Sequence, residues 1–258
     1  MTLTTGQVFL FLLVLTRMMG AILFNPLLGR RSVPAILKMG LSLLVTILVV
    51  PTINTTPPTF ETTISFMLAL AWEMLVGYAI GLIMDLFLSW VLMAGEIMDM
   101  EMGLSVSKIY DPQSGISMPV SGSVFNVFLT LIFFVSNGHL TFIRILAVSM
   151  QVFPPGTGTA GFEIGNLLVT MLYDTMLLSL KLGMPVLVIE LLSEAGLGTL
   201  MRMVPQINVF SVGLQLKLAT GLLVVILALP AAARLMDTSL TQLFEQMQKG
   251  IAAMLSAG

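Results

Sequence analysis

An all-α, polytopic membrane protein is the fold class this sequence predicts, and three observations predict it. Hydrophobic residues make up 57% of the 258-residue chain and charged residues 9%, with a mean hydropathy of +1.03; a soluble domain of this size has no place to bury so much apolar surface. The apolar residues gather into runs near the length of about 20 that crosses a bilayer as a helix. Clusters of Pro, Gly, Asn and Thr stand between the runs, and these residues end helices. About six long hydrophobic helices with kinked segments follow from this pattern.

Composition also narrows function. A net charge of −2 argues against a nucleic-acid partner. The absence of cysteine removes disulfides, thiolate metal sites and thiol nucleophiles. With a single histidine and no HExxH or GxSxG motif, no enzyme chemistry and no cofactor are expected. The 21 methionines are either flexible filling between helices or an adaptable lining that seals around changing shapes.

The first 16 residues carry no Lys or Arg, unlike the basic start of a cleaved signal, so Gln7 to Leu28 reads as a first membrane helix. Asn25-Pro26 should kink or end it. Arg17 sits near its middle, where a charge costs about 2.5–3.5 kcal/mol, so it either snorkels or faces protein. Arg30, Arg31 and Lys38 surround the next connection, which the positive-inside rule puts in the cytoplasm, with the N-terminus outside. Ala35 to Val50 is a second apolar segment closed by Pro51.

Thr52 to Thr63, rich in Thr and Pro and without a basic residue, suits the outer side. Ile64 to Ala94 follows, interrupted only by Glu73 and Asp85; as one helix it would measure about 45 Å against a hydrocarbon core of about 30 Å, so it must tilt, break or project. Gly77 and Gly81 form a small-xxx-small face for close helix packing.

Glu96 to Gly122 is the one long polar stretch, and residues 108–122 form its loop-like centre. Glu96, Asp99 and Glu101 interleave with Met98, Met100 and Met102, which are candidate pore-lining residues. Pro112 and Pro119 forbid a continuous helix, and Gly115 and Gly122 permit unusual backbone angles. Lipid cannot satisfy such a backbone, so the stretch needs water or protein around it.

Ser123 to Val135 resumes as apolar helix and ends at Ser136-Asn137-Gly138-His139, a turn signal; His139 reads as a turn or interface residue. After Leu140 to Val152 comes a Pro/Gly loop, Phe153 to Gly165. Asn166 to Leu192 carries Asp174 and Lys181 seven residues apart on one face, which pair with each other or with another subunit. Pro205 then removes a helical hydrogen bond, and Gln206 and Asn208 offer amides to the freed backbone. In the last apolar span, Val209 to Leu229, the residues Gly213, Lys217, Thr220 and Gly221 share a face that should look into protein. Met236, Leu240, Leu243, Met247, Ile251 and Met254 then recur at helical spacing, so 234–256 reads as an amphipathic interfacial or partner-binding helix.

Several short motifs occur together and in order: Gly29-Arg30-Arg31-Ser32-Val33-Pro34, Gly95-Glu96, Met102-Gly103-Leu104, Asp111-Pro112-Gln113, Met118-Pro119-Val120, Asn137-Gly138-His139-Leu140, and Pro205-Gln206-Ile207-Asn208-Val209-Phe210 with Leu216-Lys217. In these the chain resembles the FliR/SctT family of flagellar and type III secretion export-gate proteins over nearly its whole length, as a single domain from 1 to 258. It departs from the family pattern at Lys108, Tyr110, Asp99 and Glu101. The resemblance implies a subunit that joins FliP and FliQ in a helical ring around an export channel for unfolded flagellar proteins, with FlhB attached, in the bacterial inner membrane at the flagellar basal body.

It further implies that Ile109, Tyr110, Asp111, Pro112, Gln113, Ser114, Gly115, Ile116, Ser117, Met118 and Pro119 form a plug loop. Arg17, Glu73, Asp85, Asp174, Lys181, Pro205, Gln206, Asn208 and Lys217 are the candidate assembly residues. The apolar charges among them outnumber the partners one bundle easily provides. Two alternatives stand beside this: the equivalent subunit of a virulence type III injectisome, and a small-solute transporter subunit. A transporter should show symmetry between its halves, and no convincing repeat is visible.

Overall fold

Among the described residues of the computed structural model, all regular structure is helical. Those residues are 5–27, 33–53, 57–105, 118–157, 163–203 and 209–256, with side chains left out for 163–168, 209–211 and 249–256. The helices are α1 (Thr5–Leu23), α2 (Ala35–Val49), α3 (Thr63–Leu88), α4 (Trp90–Glu101), α5 (Val120–Val135), α6 (Gly138–Val152), α7 (Glu163–Met203) and α8 (Val209–Ser256). Five segments are long and apolar enough to cross a membrane, and a sixth if α5 and α6 count as one bent span. The chain is a polytopic all-α membrane protein.

Local sequence explains where helices start and stop. Pro34 precedes α2, and Pro51 lies in the 3₁₀ turn Val50–Thr52 that closes it. The long run from Ile64 to Ala94 is interrupted only at Ser89, whose backbone is itself α-helical (φ −68°, ψ −19°), so residues 63–101 remain one 39-residue apolar segment. Pro119 stands just before α5. At the Asn-Gly signal, Asn137 takes the left-handed conformation (φ 58°), which asparagine tolerates better than most residues, and α5 and α6 bend by 67°. The segment 234–256 is not a separate helix but the continuation of α8, and Met236, Leu240, Leu243 and Met247 on its apolar face are buried. Over residues 236–247 that face is covered by the chain itself.

The described chain forms two compact units. One comprises 1–88, 137–172 and 241–258; the other comprises 89–136 and 173–240. In the first, α1 crosses α3 on glycines. A methyl group on Gly20 would come within 2.7 Å of the Met74 carbonyl oxygen, and one on Gly77 would strike the carbonyl oxygen of Arg17. Such backbone approach is what a small-xxx-small face permits. Phe9, Phe60 and Phe66 form an aromatic cluster beyond the crossing, with Phe9 and Phe66 centroids 4.7 Å apart. In the second unit, α4 packs on α5 by the same device: a methyl on Gly95 would collide with the backbone of Gly122.

Candidate functional site

Three buried polar clusters stand out in a chain this apolar. The first is built on Arg17, which is 1% exposed. Its Nε donates to Glu73 Oε2 at 2.5 Å, Nη1 donates to the Ser149 carbonyl at 3.0 Å, and Nη2 donates to the Phe153 carbonyl at 2.9 Å. Glu73 Oε1 accepts the Gly156 amide at 3.0 Å. Arginine suits this place because its planar fork directs several donors at once. Arg17 does not snorkel; it faces protein of its own chain. Arg17 and Glu73 satisfy each other inside the chain, because α3 brings a carboxylate to the level of the guanidinium.

The second cluster centres on Asp99, buried in α4. Its carboxylate caps α5, with Oδ2 accepting the Val120 amide at 2.5 Å and Oδ1 the Ser121 amide at 3.2 Å. Helix N-termini present unpaired amides and a positive dipole end, so a carboxylate there is favourable twice over. Asp99 also accepts the Ser105 amide on its own carbonyl, at 3.2 Å, after Gly103 turns the chain with φ +77°. Asp99 is thus a capping residue that the sequence placed only near a pore lining. Met98 and Met102 are 1% exposed, whereas Met100 is 65% exposed. Of the three candidate lining residues, only Met100 is presented on the surface of this chain.

The third cluster joins α7 to α8. Glu190 is buried and its Oε1 is hydrogen-bonded with Thr220 Oγ1 at 2.8 Å, while Lys217 Nζ meets Glu194 Oε1 at 3.3 Å. Gly213 and Gly221 are buried between exposed neighbours, so the face shared by Gly213, Lys217, Thr220 and Gly221 packs on protein. Gly221 lies against the Met102 side chain and Glu190. Lys217 therefore finds its counter-charge within the chain. Glu190 was not among the residues singled out in the sequence; an acidic position inside an apolar run was the signal.

Other candidates are dispersed. Asp85 and Lys181 are exposed and Asp174 is half-buried, and no ion pair joins Asp174 to Lys181. Arg144, not singled out by the sequence reading, is exposed on α6. Met118 is 56% exposed and Pro119 buried. Ile109, Tyr110, Asp111, Pro112, Gln113, Ser114, Gly115, Ile116 and Ser117 lie outside the described residues, as do Pro205, Gln206 and Asn208. Among the described residues no group of three His, Asp or Glu side chains is placed to hold a metal ion.

Comparison with known proteins adds a lineage to this geometry. The family model described as bacterial export proteins, family 1, matches residues 8–243. The flagellar biosynthetic protein FliR of Escherichia coli (strain K12) is 30% identical over 231 residues, covering 89% of this chain and 88% of that protein. FliR of Bacillus subtilis (strain 168) is 31% identical over 223 residues, 85% of each chain. A shorter similarity, 33% over 144 residues, covers 54% of this chain and 55% of the surface presentation of antigens protein SpaR of Shigella flexneri.

Proposed function

Because this chain belongs to the bacterial export proteins, family 1, we propose that it is a core subunit of the flagellar type III protein export gate in the bacterial inner membrane. It assembles there with FliP and FliQ, with FlhB attached, and the assembly forms the channel for unfolded flagellar proteins. The observation that carries this reading is the set of uncompensated charges on apolar helices. Asp85, Arg144 and Lys181 are exposed and have no hydrogen bond or ion pair among the described residues. A charge facing lipid costs about 2.5–3.5 kcal/mol on insertion scales. Sister subunits that cover these three positions remove the penalty, and a lone chain does not.

In this reading the segment Ile109 to Pro119 closes the resting channel and moves aside for substrate, and Met100 adds a deformable lining beside it. A channel passing a helix with its side chains must open to about 10–12 Å, wide enough to discharge the membrane if nothing filled it. Pro205, Gln206 and Asn208 set the angle between the last two helices.

Two measurements test the reading. A tagged chain should co-purify with FliP and FliQ from detergent, and a stable, monodisperse chain purified alone would argue against it. Deleting Ser114 to Met118 should leave the complex assembled but make cells permeable to ions and small solutes; a tight membrane would remove the plug role.

A further inference from the structure

Glu190 has no part in the export reading, and its surroundings call for an explanation. It lies within an apolar, membrane-length segment, residues 169–203, and is 0% exposed. Oε1 is 2.8 Å from Thr220 Oγ1, while Oε2 is buried with no hydrogen-bond partner among the described residues. Thr220 Oγ1 is also 2.8 Å from the Leu216 carbonyl oxygen and 3.1 Å from that of Lys217.

A hydroxyl has one proton to donate. Were Glu190 ionised, Thr220 would have to direct that proton to Oε1. It would then lose the bond to the carbonyl four residues back that Thr16, Thr46 and Thr199 all make in this chain. Oε2 would remain a charged, buried oxygen with no protein donor, the costliest kind of buried polar atom. With Glu190 as the neutral acid every proton has a place. The acid O–H donates to Thr220 Oγ1, Thr220 donates to the Leu216 carbonyl, and only an uncharged carbonyl-type oxygen lacks a donor.

We infer that Glu190 is a proton-binding site: it carries a proton in this structure and is held neutral by Thr220 at the contact of α7 with α8. The charged groups around it are Lys217 from α8, Glu194 on its own helix and Glu101 from α4. Lys217 is engaged with Glu194, which is 60% exposed. Glu190 and Glu194 are four residues apart on one face of α7, so Lys217 stands where it can serve either. Release of the proton from Glu190 to solvent leaves a carboxylate, and the ammonium of Lys217 moves from Glu194 to meet it. Proton binding and the partner of Lys217 are thereby linked.

The test is infrared difference spectroscopy on the chain purified with its partner subunits in lipid, wild type against Glu190→Gln. Glutamine keeps the shape and a donor toward Thr220, so the complex should assemble normally. The wild-type spectrum at neutral pH should contain a protonated-carboxyl C=O band that the variant loses. Raising the pH should convert that band to carboxylate bands, and in Lys217→Met the conversion should move up by about one pH unit, tenfold in proton affinity. Thr220→Val should shift the band by removing its hydrogen-bond partner. Carboxylate bands from Glu190 at neutral pH, or failure of Glu190→Gln to assemble, would overturn the proton assignment. A conversion that ignores Lys217→Met would overturn the lysine exchange.

Discussion

Arg17 and Glu73 meet at 2.5 Å across 56 residues of sequence, and both terminal nitrogens of Arg17 and the second oxygen of Glu73 bond to the backbone of a single downstream stretch. Two membrane-length helices are thus tied to the end of α6 and the turn beyond it through one ion pair. Burying two charges is expensive, and the cost is offset because two carbonyls accept from the terminal nitrogens of Arg17 and an amide donates to the second oxygen of Glu73.

Removing one partner should expose that expense. Arg17→Met leaves Glu73 buried and unpaired and should destabilise the protein by about 3–5 kcal/mol, whereas Arg17→Met with Glu73→Leu should recover most of the loss. Thermal unfolding in detergent measures both; a double variant as unstable as the single one would contradict this account.

The α1–α3 crossing should tolerate no side chain on its glycines. Gly77→Ala drives a methyl into the Arg17 carbonyl, and overpacking of this kind costs about 1–3 kcal/mol. Gly196→Ala is the control. Nothing lies within 4 Å of the added methyl, so it should stabilise α7 by about 0.5–1 kcal/mol.

Asp99 should govern the first turn of α5. Asp99→Ala removes both cap bonds, a loss of about 0.5–2 kcal/mol, and hydrogen exchange at the Val120 and Ser121 amides should quicken accordingly. Asp99→Asn, which keeps one acceptor, should fall between the two. Unchanged protection in Asp99→Ala would mean that the cap is incidental.

Lys181 should matter to assembly and not to insertion. Lys181→Glu should reduce co-purification with FliP and FliQ while the chain still reaches the membrane, since a partner surface chosen to meet a cation repels a carboxylate. Equal recovery of the complex would release Lys181 from the interface.

Periodicity and punctuation carried much of the architecture in the sequence. The bend at Asn137 follows from an Asn-Gly pair and the α1–α3 contact from Gly77 and Gly81. Partnerships between distant residues were not legible. Nothing near Arg17 names Glu73, and two of its acceptors are backbone carbonyls that any residue could supply. Asp99 looked like one carboxylate among three because its partners are amides of a helix that starts 21 residues later. The methionines were partly legible: residues at i and i+4 share a helix face and i+2 does not, so Met98 and Met102 belong together and Met100 apart.

The division of the chain into two units has a consequence for how the protein is made. The chain passes between them at Leu88–Ser89, Ser136–Asn137, Leu172–Tyr173 and Leu240–Thr241, twice within an unbroken helix. Residues 241–258 belong to the same unit as α1, so that unit cannot close until they too have been translated. Until Ser149 and Phe153 have been made, Arg17 sits in the translocation machinery or the bilayer without their carbonyls. Nascent chains arrested before residue 149 should accordingly be good substrates for membrane proteases, and chains arrested after residue 157 should survive longer.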